Sequence, residues 1–158
     1  MEKINFGWIE PVELTGSASL SISDVTTTPV VYKYNTKTDG EYFLLENRQQ
    51  NGFNTSCPGH GLMIYRKGSV NYSTLKNTTH PQGFYAVCAS ATTAIPTSDV
   101  ASYGTLNSAG CPFPGTGNKS EFTDETTPSA KSWAGDNTVY PLTNIAENSS
   151  IISFCFNG

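Results

Sequence analysis

Charge is what this 158-residue chain has little of: Asp, Glu, Lys and Arg make up 14% of it, against roughly 25% in an ordinary soluble domain. The formal net charge is only −4. No Lys/Arg cluster with interleaved aromatics occurs, so nucleic acid is not an expected partner. No apolar run approaches the roughly 18 residues of a membrane-spanning helix, so no membrane insertion is expected. The opening Met1-Glu2-Lys3-Ile4-Asn5-Phe6 lacks the apolar core of a signal peptide. No segment sustains a 3.6-residue apolar period, which argues against a helical fold.

Catalytic constellations are also scarce. The two histidines, His60 and His80, stand in different loops, and neither belongs to the His-Glu-x-x-His helix of a zinc peptidase. There is no Gly-x-Ser-x-Gly elbow, no phosphate-binding glycine loop and no calcium loop of alternating Asp and Asn. The four cysteines, Cys57, Cys88, Cys111 and Cys155, form no Cys-x-x-Cys pair and no zinc-ribbon spacing. No catalytic, cofactor or metal residue is therefore assigned.

Serine, threonine and asparagine replace the missing charge, with 14 Gly and 9 Pro among them. Hydroxyl and amide side chains bond locally to the backbone and compete with helices, so short strands and many turns follow. Leu14 to Val25 alternates, with Leu20 and Ile22 on one face and Ser19, Ser21 and Ser23 on the other. Val30 to Asn35 is β-branched and aromatic, and Tyr42 to Arg48 reads as its return strand about Asp39-Gly40. Gly61 to Arg66, Gly83 to Cys88, and a closing pair of Leu142–Ile145 and Ile151–Phe156 turning at 147–150 complete the strands. Asn71 to Pro81 reads as loop, and prolines 96, 112 and 114 make Ala89 to Gly117 irregular. The expected fold is all-β: a two-layer antiparallel sandwich, jelly-roll-like, with long irregular loops.

Several residues invite closer reading. Cys57-Pro58-Gly59-His60 places a thiol and an imidazole across a turn, which suits a nucleophile and base but equally an ordinary hairpin loop. Cys88 and Cys111 frame a Ser/Thr/Pro/Gly-rich loop that a disulfide would tether. Glu46 and Arg48 share a face of their strand, either as a contact to a neighbouring domain or ligand or as an internal ion pair. Asp99, Asp124, Glu125 and Asp136 are loop carboxylates that could serve calcium or simply form turns. Trp8 and Trp133 are candidate interface aromatics or core plugs.

Four blocks carry a likeness. They are Lys3 to Pro11; Glu41 to Gln50 with Gly59 to Tyr65; Tyr85 to Ser90 with Ser102-Tyr103-Gly104 and Asn107 to Gly115; and Phe122-Thr123-Asp124 with Thr127 to Trp133 and Leu142 to Ile145. In this order they resemble the region that follows the peptidase domain in secreted immune inhibitor A-type metallopeptidases (peptidase family M-six), of the variety found in the Bacteroides group. None of the blocks is a catalytic motif. The resemblance implies that zinc belongs to a catalytic domain upstream, and that residues 1–12 end that domain or enter the next. Residues 13–158 would then form a single accessory sandwich, non-catalytic, partnered by the peptidase domain and by protein or glycan substrate. The implied location is outside a bacterial cell, secreted or at its surface, as a piece of a longer exported protein. A stand-alone module binding carbohydrate or protein is the alternative. Relatives often place His or Asp after the Ile64-Tyr65 position; here Arg66-Lys67-Gly68 follows.

Overall fold

The computed structural model describes residues 7–68 and 80–156. The strands are β1 (Val12–Glu13), β2 (Ala18–Ile22), β3 (Tyr32–Asn35), β4 (Tyr42–Arg48), β5 (Gly61–Lys67), β6 (Phe84–Val87), β7 (Leu142–Asn148) and β8 (Ile151–Phe156). Among the described residues the helices are single 3-10 turns at Gly52–Asn54 and Val100–Tyr103. None is long and apolar enough to cross a membrane. Two sheets pack as an all-β sandwich, one in the order β1-β3-β4-β5-β6 and the other β2-β8-β7. Every strand pairing is antiparallel except that of β1 with β3.

Most of the interior follows the period of two. Phe43, Leu45, Leu62, Ile64, Tyr85 and Val87 face the small sheet, where Ile152, Phe154 and Phe156 meet them. Tyr34 stacks on Phe43 with centroids 5.0 Å apart, and Phe43 meets Phe122 edge-on at 5.3 Å. The run Tyr42-Phe43-Leu44-Leu45 has no polar alternation because both faces of its sheet are covered. Leu44 lies under Val25 and Val31 on the outer face. Further along that face, Met63 and Ala86 lie under Ala91 and Cys111.

Connections depart from the simplest reading of their turn residues. β3 and β4 do pair, from Tyr32↔Leu45 to Asn35↔Tyr42, but 36–41 form a longer loop instead of a two-residue turn about Asp39-Gly40. The Thr36 hydroxyl and the Glu41 N–H to Thr38 carbonyl bond hold that loop, and Gly40 adopts φ 72°. The β7–β8 turn is shorter than expected: pairing continues to Asn148↔Ile151, leaving Ser149 and Ser150 at φ 49° and 70°. The irregular segment after Cys88 also closes the sandwich, since Phe113 bridges Leu62 and Phe122 bridges Leu142. The boundary expected between residues 12 and 13 falls inside β1. Residues 1–6, and most of the loop expected at Asn71 to Pro81, lie outside the described residues.

Candidate functional site

At one end of the sandwich a chain of polar side chains runs from the interior to the surface. It begins with Asn47, which β4 points inward and which is fully buried. Its amide donates to the carbonyls of Ile22 and Ser150, both at 2.8 Å. Gln49, two residues on and also buried, donates to Asn47 Oδ1 at 2.8 Å and to Glu147 Oε1 at 2.9 Å. The imidazole Nδ1 of His60 meets the same Glu147 oxygen at 2.8 Å. Buried amides demand partners, and this relay supplies them while orienting a carboxylate and an imidazole at the surface.

His60, Glu147 and Gln50 divide a polar groove into two lobes. One, of about 500 Å³, adds Gln49, Asn51 and the Ser149–Ser150 turn. The other, of about 430 Å³, adds Pro58, Thr116 and Asn118. Asn118, Ser149 and Ser150 all hold positive φ, a backbone conformation uncommon for residues other than glycine, although asparagine is enriched there. The lining carries neither lysine nor arginine and no Phe, Tyr or Trp, and its polar groups are amides, hydroxyls, the His60 imidazole and the Glu147 carboxylate, which suit a ligand rich in hydroxyl or amide groups. No hydrogen bond joins Cys57 to His60 among the described residues; Cys57 Sγ lies 4.0 Å from Asn54 Oδ1. His80 Nδ1 meets the hydroxyl of Tyr103 at 2.9 Å. Among the described residues no three His, Cys, Asp or Glu side chains converge as a metal site.

The other candidates are dispersed. Arg48 Nη2 lies 2.6 Å from Glu46 Oε1 and 2.7 Å from the Tyr65 hydroxyl, which itself donates to Glu46 at 2.9 Å. Burial, and then the Glu46 charge, hold the Tyr65 phenol well above its ordinary range. This half-buried triad sits on the outer face of the five-stranded sheet. Cys88 and Cys111 are fully buried free thiols on that face. Their mutual hydrogen bond, and then burial, push the Cys88 thiol up, and the same bond holds Cys111 down. Trp8 is 72% exposed, whereas Trp133 packs against the inner core beside Tyr85 and His80. The two tryptophans therefore do not make one platform. Asp124 accepts from Thr138 and Val139, and Asp99 caps the 3-10 turn at Ala101, so both work as turn formers.

Sequence reasoning missed the most deeply buried charges. Arg66 Nη1 lies 2.7 Å from Glu41 Oε1, with side chains 1% and 0% exposed. Arg66 also donates to the Lys131 carbonyl at 2.5 Å, and its guanidinium sits over Phe43 and Trp133. The backbone N–H of Trp133 donates to Glu41 at 3.2 Å. A signal was available: Arg66 continues the inward series Leu62, Ile64. Comparison with family models, characterised proteins and solved structures returns no match for this chain.

Proposed function

We propose that this chain is a non-catalytic accessory domain of a secreted or cell-surface bacterial zinc metallopeptidase of the immune inhibitor A type. Its role would be to brace the catalytic domain or to help admit substrate. The observation that supports this most is how the resembling blocks are used. Glu41, Asn47, Gln49 and Trp133 lie in those blocks, and each is bound into a buried or part-buried hydrogen-bond network of the frame, which His60, also in a block, extends to the surface. Resembling residues that serve the frame fit a part whose role is shape. The catalytic zinc belongs, on this reading, to the upstream domain.

The purified chain is expected to leave casein intact and to carry no stoichiometric zinc by elemental analysis. Chelator-sensitive cleavage with near one zinc per chain would overturn the reading. So would a full-length gene that encodes no zinc-binding helix before Lys3. The end groove of His60, Glu147 and Gln50 favours a second reading, a self-sufficient module binding glycan or protein. Saturable ligand uptake by a protein whose gene lacks a peptidase domain would select it.

A further inference from the structure

The direction of each hydrogen bond around the end groove fixes what the groove presents to a ligand. Asn47 spends its NH2 group on the carbonyls of Ile22 and Ser150, so its Oδ1 can only accept. Gln49 must therefore turn its own NH2 inward, and it donates to Asn47 Oδ1 and to Glu147 Oε1. Gln49 is only 4% exposed, and with its nitrogen turned inward the amide end it gives to the larger lobe is its oxygen. The two residues after it repeat the arrangement. Gln50 donates to the Cys57 carbonyl at 2.6 Å, and Asn51 to Asp24 Oδ2 at 3.1 Å, which leaves each a carbonyl oxygen as its other end. A carboxylate only accepts, so His60 Nδ1 carries the proton of its bond to Glu147, and the neutral ring keeps Nε2 as an acceptor. Glu147 Oε1 already receives both Gln49 and His60, which leaves Oε2 to an incoming donor.

Donors at this end thus point into the protein and acceptors into the groove. Such a surface selects a donor, and a cationic one most strongly. The choice among cations follows from the same atoms. A guanidinium gains from a carboxylate that offers both oxygens and from an aromatic face. Here one oxygen is taken, and the lining has no Phe, Tyr or Trp among the described residues. Calcium wants about six to eight oxygen ligands, carboxylates prominent among them, and Glu147 is the single carboxylate among the described lining residues. A primary ammonium asks for three acceptors and no more. Next to those acceptors the smaller lobe adds an apolar flank of Pro58, Ala109 and Pro114. That flank suits a methylene stem with a charged tip and not the hydroxylated ring of an amino sugar.

We propose that the groove binds a lysine side chain presented by another polypeptide. Its ammonium is held by Glu147 Oε2 and the amide oxygens of Gln49 to Asn51, and its stem lies along Pro58, Ala109 and Pro114. The net charge of −4 favours approach of a basic partner. This inference rests on the ligand-binding reading of the groove and names the ligand for it.

The test is a titration of the intact, isotope-labelled chain with the blocked tripeptide Gly-Lys-Gly near pH 7, followed through backbone amide chemical shifts. Saturable shifts are expected at residues 49–51, 60 and 147. The same peptide acetylated on its lysine nitrogen lacks the charge and should bind about tenfold more weakly. Glu147→Gln keeps an acceptor for Gln49 but removes the carboxylate, and should weaken the lysine peptide about tenfold at an unchanged melting temperature. His60→Lys, on a half-exposed side chain, is the second variant and should abolish binding by placing its own ammonium at the groove. Equal binding of the acetylated peptide overturns the inference and leaves the groove a ligand site. So does undiminished binding by a Glu147→Gln chain that melts like the wild type, or by His60→Lys. Tighter binding of glucosamine or of calcium ions would assign the groove to an amino sugar or a metal and likewise overturn it. Unshifted groove amides with every probe would remove the ligand-binding reading itself.

Discussion

Arg66 is the largest fully buried side chain of the described residues, and its guanidinium is held there by counterparts at both Nη atoms and on its faces, with Nε alone lacking a hydrogen-bond partner. Glu41 supplies charge, the Ser129 and Lys131 carbonyls accept, and aromatic faces stack on it. Removing one member leaves the other charge buried and unpaired, which is the costly case. Arg66→Leu is expected to lose about 3–5 kcal/mol in urea denaturation. The double variant Glu41→Leu/Arg66→Leu should recover much of that loss. Asp24 shows the opposite balance. Burial pushes its carboxyl up, but bonds from Thr26 and Asn51 outweigh this and hold it below its ordinary 3.8. A carboxyl depressed by folding contributes stability that is fully present above its unfolded value and is lost as pH falls through the folded one. The stability advantage of the wild type over Asp24→Asn should therefore hold at pH 6 and shrink steadily below pH 4. A gap independent of pH would show that the bonds do not depend on charge.

At the scale of elements, the β7–β8 hairpin stands out for its turn. Both central residues are left-handed, as a two-residue turn between twisted strands requires, yet both are serines. The left-handed conformation costs a side-chain-bearing residue about 1–2 kcal/mol, and asparagine and glycine tolerate it best. Ser149→Asn with Ser150→Gly is expected to stabilise the chain by about 1 kcal/mol, read as a raised melting temperature. An unchanged or lowered value would mean that the serines gain something from the groove they line. Ser150 also gives its carbonyl to Asn47, so this hairpin both closes the small sheet and anchors the relay behind His60 and Glu147.

For the whole molecule, the long segment from Ala89 to Phe122 matters most. It covers one part of the outer face with Ala91 and Cys111, and inserts Phe113 and Phe122 into the core. Cys88 and Cys111 face each other where that segment leaves and rejoins the sheet, with Ala89 N–H donating to the Cys111 carbonyl at 2.9 Å. If the chain is exported, as proposed, a disulfide-carrying oxidoreductase or oxidised glutathione would take their two electrons and two protons and leave a disulfide. Peptide mapping without reductant should then join residues 88 and 111. Reduction should lower stability by roughly 3 kcal/mol. Two alkylatable thiols at these positions after oxidative refolding would refute the pairing and weaken the case for an extracellular setting.

The all-β class, and most strands to within a residue or two, were legible in the chain because each depends on short-range chemistry. Alternation in Leu20 and Ile22, the β-branched and aromatic runs, and the want of any helical period act within a few residues of one another. The same locality explains why Glu46 and Arg48 could be placed together, two apart on one strand. Tertiary structure alone decided the rest. Phe113 and Phe122 stand in a stretch that prolines make unreadable, and only the space between β5 and β7 makes them core. Glu41 and Arg66, like His60 and Glu147, are far apart in the chain, and their pairing follows from sheet order and strand register. No local pattern encodes those two quantities. They are set by how whole faces bury against each other, and so the groove at the end of the sandwich exists only once the sheets have packed.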